Sequence, residues 1–343
     1  MKKIITISAL ALLLVFVSCS DKKETPTEKA EKSETTETAT QETTAREQTE
    51  ESNKTVIKLN LKKGDTYSIT MKKDEKISME LEGENKWGKQ LSEMTYNFLV
   101  DDVDESGNIT AKIKITRIKK TIESSEGDAQ SFDSEKSGKT DDTPDTQSLK
   151  SIVGKQYSFT ITPFGQVIEV KGTEKMIKSI LKGIDLDEKI LKVIEMGLRQ
   201  EFGPEQIIAF YEKLFNYLNE QPRKVGDKWQ KVYDINAGIN LKATTNYVID
   251  KITDDKIYIK MNSKLKNPAG KQRRENEQVI LTSEVNGEQS GDIIVDRNTG
   301  FFIKNKVKQV IHAKETQEEK ESKKTMTLKT TKTSTYTITT VKK

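Results

Sequence analysis

The chain has 343 residues, 33% hydrophobic and 33% charged, so its core is lean and part of its length must stay outside it. Lys and Arg number 58 against 54 Asp and Glu, a near balance that lacks the basic excess of a nucleic-acid binder. One cysteine and one histidine exclude an internal disulfide, zinc sites built from His and Cys, and Cys–His catalysis once the cysteine is assigned elsewhere.

Met1-Lys2-Lys3 is positive, and Ile4 to Val17 is apolar apart from Thr6 and Ser8, the order and length of a secretory signal peptide over residues 1–18. The run is too short to span a bilayer, which takes roughly 20 apolar residues. Phe16-Val17-Ser18-Cys19 resembles the bacterial lipobox, although Phe16 stands where Leu is usual. The resemblance implies cleavage after Ser18 and acylation of Cys19. Fatty acyl chains such as palmitate contribute about 0.8 kcal/mol per buried methylene, so several of them on Cys19 form a stable membrane anchor. Ser20 stands where enteric-type sorting reads Asp as a retention signal, which implies the outer membrane and leaves either of its faces open.

Residues 19–54 hold the lipidated cysteine and a Thr/Glu/Lys tether. Between Asp21 and Lys54 the only apolar residues besides Pro26 are Ala30, Ala39 and Ala45, too few to offset the entropy of ordering. Ten acidic against six basic residues give this stretch a net −4. As a flexible chain it reaches about 30 Å on average and near ~110 Å at full stretch. It is a spacer, and its charge repels anionic head groups.

From 55 to 172 period-two alternation predicts a first β-module: Tyr67, Ile69, Met71; Ile77, Met79, Leu81; Met94, Tyr96, Phe98, Val100; Ile109, Ala111, Ile113, Ile115. Gly64-Asp65, Gly107-Asn108 and Phe164-Gly165 supply turns. The Ser-, Asp- and Gly-rich span 123–147 is expected to be a long mobile loop. Residues 173–221 change period and predict a helical block. Thr173 caps a first helix carrying Met176, Ile177 and Ile180, and Asp187 starts a second carrying Ile190, Leu191, Val193, Ile194 and Leu198. Pro204 opens a third, which runs through Leu218 and is closed by Pro222. Residues 222–343 repeat the signals of the first module in order: Gly226-Asp227-Lys228-Trp229 answers Gly64-Asp65-Thr66-Tyr67, Asn246 to Ile252 answers Asn97 to Val103, and Thr299-Gly300 answers Phe164-Gly165. The expected fold is α+β, mainly antiparallel β, with two related β-modules and a central helical block covering the bare face of one or both sheets.

Motifs that carry chemistry are few. Ser137-Gly138-Lys139-Thr140 resembles the end of a phosphate loop, but Asp133 occupies the place of its first Gly and no strand leads in. Asp102-Val103-Asp104-Glu105-Ser106-Gly107 resembles the first half of a calcium loop, with Asp102 and Asp104 as weak metal candidates. Ile113 stands where the bidentate Glu belongs, so a hairpin turn is the better reading. His312 follows Val310 and Ile311 on a strand and suits a structural or exposed role. Trp87, Trp229, Tyr67 and Tyr233 could form a binding platform, although aromatics near strand starts are more often core.

The lipobox, the tether, the repeated Gly-Asp-aromatic entries and the helical block together resemble an uncharacterised family of bacterial envelope lipoproteins of unknown function, from about Thr55 to Lys343. The resemblance implies no catalytic residue and no cofactor. A curved antiparallel sheet against helices is also similar to the half-barrels of lipoprotein carriers, an analogy of fold alone. The expectation is a non-enzymatic binding or structural lipoprotein, held to the outer membrane by Cys19, with an envelope protein or apolar ligand as partner and no nucleic acid. Its rivals are a carrier or sensor that holds an apolar ligand between helices and sheet, and a divergent carboxylate-based hydrolase. Replacing the acylated thiol, Cys19→Ala, is expected to shift the full chain from the membrane to the soluble fraction of its host. Intact mass would lose the diacylglycerol increment.

Overall fold

The computed structural model describes residues 54–136, 143–184, 186–236 and 240–343; the expected signal peptide with Ser18, Cys19, the expected tether through 53 and Ser137 to Thr140 lie outside the described residues. Chain order is β1 (Thr55–Ile57), β2 (Thr66–Leu81), β3 (Glu84–Val103), β4 (Ile109–Ser124), β5 (Gly127–Asp133), α1 (Pro144–Ile152), β6 (Gln156–Ile161) and β7 (Val167–Lys171). Three helices follow, α2 (Thr173–Leu181), α3 (Glu188–Phe202) and α4 (Pro204–Leu214). The rest is β8 (Asn219–Arg223), β9 (Lys228–Asn236), β10 (Asn240–Ile252), β11 (Lys256–Glu275), β12 (Val279–Asp296), β13 (Phe302–Glu319) and β14 (Thr325–Lys342). The fold is α+β and mainly antiparallel β.

Twelve strands form one sheet in the order β7-β6-β4-β3-β2-β14-β13-β12-β11-β10-β9, with β5 on β4, while β1 and β8 pair separately. The two stretches that repeat in sequence therefore share a single sheet, joined where β2 pairs with β14 from Tyr67 and Lys342 to Leu81 and Leu328. Their entry turns are built alike. Gly64 and Gly226 both sit at positive φ (89° and 88°), where a side chain would strain the backbone. Their amides donate to Val100 O (2.9 Å) and Ile249 O (2.8 Å), and Asp65 and Asp227 accept from the amides of Lys62 and Lys224. One residue after each accepting carbonyl, the register slips by one, leaving Asp101 and Asp250 as bulged residues. Each bulged carboxylate is paired with a lysine on the next strand, Lys112 at 2.6 Å and Lys260 at 2.8 Å.

Residues 58–61 cross between the two matching later turns, where Leu59 N donates to Pro163 O and Asn60 N to Thr299 O, both at 2.8 Å. Helices α2 to α4 close one end of the inner face. Ile177, Leu198, Phe202, Ile207 and Leu214 join Ile113, Phe98 and Phe159 in one buried cluster, and Tyr211 stacks on Phe159 at 3.9 Å. The same cluster holds Val167 on β7 and Trp229 on β9, so the sheet curls until strands from both of its ends meet one core. Strands β12 and β13 approach closely at two glycines. A Cβ on Gly287 would lie 2.4 Å from Val310 O, and one on Gly291 2.3 Å from Lys306 O. Glycine at both places lets the strands approach and bend.

Four expectations need correction. The span 123–147 is not a long loop, since β4 continues to Ser124, β5 pairs back onto it and α1 starts at Pro144. Its single buried apolar residue among those described is Phe132, which gives no period to read; Arg117 holds the strand end through Asp133 at 2.8 Å. The cap of α2 is Gly172 at φ 88°, and Thr173 is the buried first residue of the helix. The third helix stops at Leu214. Phe215, Tyr217 and Leu218 turn inward, and Pro222 lies within β8, an edge strand that tolerates its missing amide. On α3, Asp187 caps as expected, with Oδ1 accepting from Lys189 N and Ile190 N, but Ile190, Val193 and Met196 face outward.

Alanine at Gly291 is expected to lower the stability of the folded chain by about 1–3 kcal/mol, because its Cβ must displace backbone. Gly127→Ala on the open strand β5, where a Cβ meets nothing within 4 Å, is expected to be neutral. Urea unfolding of the two variants in parallel separates these outcomes.

Candidate functional site: the inner face of the sheet

Along β2 the inward parity runs Tyr67, Ile69, Met71, Lys73, Glu75, so it changes from apolar to charged without leaving the interior. The change is general across the sheet. In register with Lys73 stand Tyr336, Val307, Gly291, Met261 and Tyr247. The next row is polar on seven adjacent strands: Gln90, Glu75, Ser334, Gln309, Gln289, Ser263 and Thr245. None of the seven is more than 4% exposed. Beyond it lies a second, smaller apolar cluster of Leu241, Ala243, Leu265 and Val285. The polar row therefore divides the interior in two.

Beside this row is a cavity of about 100 Å³ between α4 and the sheet. Phe210 and Leu214 line it from the helix, and Met71, Met261, Ile293 and Ile338 from the strands. Its polar lining includes Gln289, Asn305 and Tyr336, and the buried Asn305 Oδ1 has no hydrogen-bond partner among the described residues. An apolar wall with a few converging polar groups is the usual composition of a small-molecule site.

A charged cluster lies on the β2–β14 seam. Glu75 accepts from Lys73 and Lys332, each at 2.8 Å, and from Ser334 Oγ at 3.0 Å. Burial alone would raise the Glu75 carboxyl, but the two lysines override it and hold it below the ordinary carboxylate value. Desolvation lowers the Lys73 ammonium despite Glu75. All three contacts fall on Oε2, and a carboxylate held in its charged form by two lysines suits a structural anion better than a general base. Near this cluster, at the C-terminal end of α3, burial pushes Glu201 up to about 7, against the pull of Lys120 and Lys73. Its Oε1 is buried and without a partner among the described residues, and a helix C-terminus disfavours negative charge.

The residues singled out in the sequence are scattered. Asp104 accepts from the Asn108 amide and side chain, both at 2.8 Å, within the hairpin turn, whereas Asp102 lies on β3 and pairs with Lys63 at 3.0 Å. Among the described residues no group of three His, Asp or Glu is placed to hold a metal ion. His312 lies exposed on β13 with Nδ1 3.2 Å from Thr331 Oγ1. The aromatic platform does not assemble: Trp87 is exposed, Tyr67 stacks on Phe301 in the core, and Trp229 stacks on Tyr247. Only Tyr233 lines the cavity. Glu75, Glu201 and the polar row were not anticipated. The one local signal was the charged pair Lys73 and Glu75 on the apolar parity of β2.

A family model, described as a family of unknown function (DUF6263), matches residues 106–302. No curated protein sequence matches the chain. Among solved structures it is similar to lipovitellin, a structure concerned with lipid–protein interactions, at 9% identity and a TM-score of 0.38, covering 82% of this chain and 25% of that one. The chain thus spans a quarter of lipovitellin. An outer membrane channel from Pseudomonas putida F1 aligns at 6% identity and a TM-score of 0.21, covering 82% of this chain and 97% of the channel. Likenesses this distant transfer no function.

Glu201 makes stability depend on pH with a defined sign. Its folded value of about 7 lies above the ordinary 4.5, so its favourable contribution is complete below pH 4.5 and is lost as pH rises through about 7. The loss is at most about 1.4 kcal/mol per pH unit. Glu201→Gln is expected to gain on the native chain between pH 5 and pH 8. Unfolding free energies at the two pH values check it; an unchanged difference between the proteins would show that Glu201 ionises normally.

Proposed function

The chain belongs to this family of unknown function, and from its own residues we propose that it is an acylated lipoprotein of the bacterial outer membrane whose β-body binds an apolar ligand without catalysing a reaction. Ser18-Cys19 after the apolar run supports the anchor, and the polar residues that follow support a spacer between bilayer and body. The cavity between α4 and the sheet carries the binding reading, and it favours the carrier or sensor over a purely structural role. Its Met, Leu, Ile and Phe side chains offer water no hydrogen bonds, so an apolar group gains by entering against that wall. Two lysines that hold Glu75 in its charged form argue against a hydrolase that uses this carboxylate as its acid.

Native mass spectrometry of the protein extracted from its own host tests this. The expected species carries acyl chains on Cys19 and a non-covalent adduct that disappears in Ile293→Trp, which fills the cavity. A bare polypeptide mass for the native chain overturns the ligand reading.

A further inference from the structure

The cavity and the polar row meet at Gln289, which lines the one and belongs to the other. From Gln289 the row continues as Gln309 and Ser334 on one side and Ser263 and Thr245 on the other, five adjacent strands bearing only amides and hydroxyls. Hydrogen-bonding capacity is left over in the same interior. Asn305 Oδ1, on the cavity wall, lacks a partner among the described residues. An unmet buried group is costly, and a ligand bearing hydroxyls or amides beside it can recover that cost. The charges nearby are already committed: Glu75 is held by Lys73 and Lys332, and Lys213 on the cavity wall has an interaction of its own.

We propose that the Gln289–Gln309 stretch of the polar row seats the uncharged, hydrogen-bonding head group of a single-tailed amphiphile whose tail end enters the cavity beside it. This deepens the apolar-ligand reading and rests on it. One tail follows from volume. About 100 Å³ is less than the ~150 Å³ of an engineered apolar cavity that takes up a benzene ring, so the space admits one chain end and not two. An uncharged head follows from the amides of Gln289 and Gln309, since the hydroxyls beside them are already bonded, Ser334 to Glu75 and Ser263 to Thr245. A site of that kind rejects analogues that cannot match its hydrogen bonds by larger factors than an apolar wall achieves.

The test uses host membranes containing the full chain and three photo-crosslinking probes with the same diazirine-bearing tail. The first is a monoacylglycerol, the second the corresponding fatty acid, the third the corresponding alkyl trimethylammonium. Crosslinks are mapped by mass spectrometry of peptides containing Leu214, Met261 and Ile293. Labelling of these peptides by the monoacylglycerol is expected to exceed that by either charged probe at least tenfold. In Gln289→Leu the labelling is expected to persist and the preference to vanish. Gln309→Leu gives the same readout should the first variant fail to accumulate. Equal labelling by all three probes, or a preference that survives both substitutions, overturns the head-group assignment and leaves the apolar-ligand reading standing. Absence of label on these peptides from every probe overturns both.

Discussion

Pairing of β2 with β14 is the constraint on which the rest of the molecule depends. It joins the first long strand to the last, and without it the strands before and after the helical block would form two sheets with two exposed edges. The cavity exists because of this seam, since Met71 comes from one side of it and Tyr336 and Ile338 from the other. Glu75 crosses the seam to Lys332 and Ser334, the latter 259 residues away. A slip of one residue in β14 would turn Lys332, Ser334 and Ile338 outward and leave Glu75 buried with Lys73 alone. Such a buried ionic cluster contributes little net stability compared with apolar packing, but breaking it is costly, so it penalises wrong registers more than it rewards the right one.

The helices and the seam divide the work of burial. Helices α2 to α4 supply Ile177, Leu198, Phe202 and Leu214 to one end of the inner face, where the strands answer with Phe98, Ile113 and Phe159. Farther along the strands, curling of the sheet brings neighbouring side chains together and buries Leu241, Ala243, Leu265 and Val285 as a separate cluster. Gly287 and Gly291 are where that curling is paid for in side chains, because only their missing Cβ lets β13 approach so closely. The polar row lies between these two apolar regions.

Much of this was legible because it is local. The Gly64-Asp65 and Gly226-Asp227 turns, the Asp187 cap, the Pro204 start and the alternation of Tyr67, Ile69 and Met71 are each fixed by residues within a few positions of one another. The strand β5 was not, because Gly127 to Asp133 is stabilised by its partner β4 and by Arg117 and not by its own pattern. Helix α4 stops early for a tertiary reason: Phe215, Tyr217 and Leu218 are helix-compatible residues that the core claims, and Tyr217 OH donates to Gly300 O at 2.8 Å from another part of the chain. The candidate site is the extreme case. Gln90, Ser334, Gln309, Gln289 and Ser263 come from five strands spread over most of the sequence, and each alone looks like an ordinary polar residue on a solvated face.

That row sets a limit on how the interior is stabilised. A domain is stable by roughly 5–15 kcal/mol, and a single buried amide left without partners, as at Gln90, costs about 1–3 kcal/mol of it. Apolar residues at these positions would pack against Leu265 on one side and Met261 on the other and would merge the two clusters into one core. Burial therefore does not account for their presence, and the stability of the sheet must come from the helix-covered end, where aromatic residues such as Phe98, Phe159 and Phe301 are packed edge to face and in tilted pairs. The strands can then carry polar groups farther along the inner face, because the register that positions them is set at the seam and the fold is held at the other end.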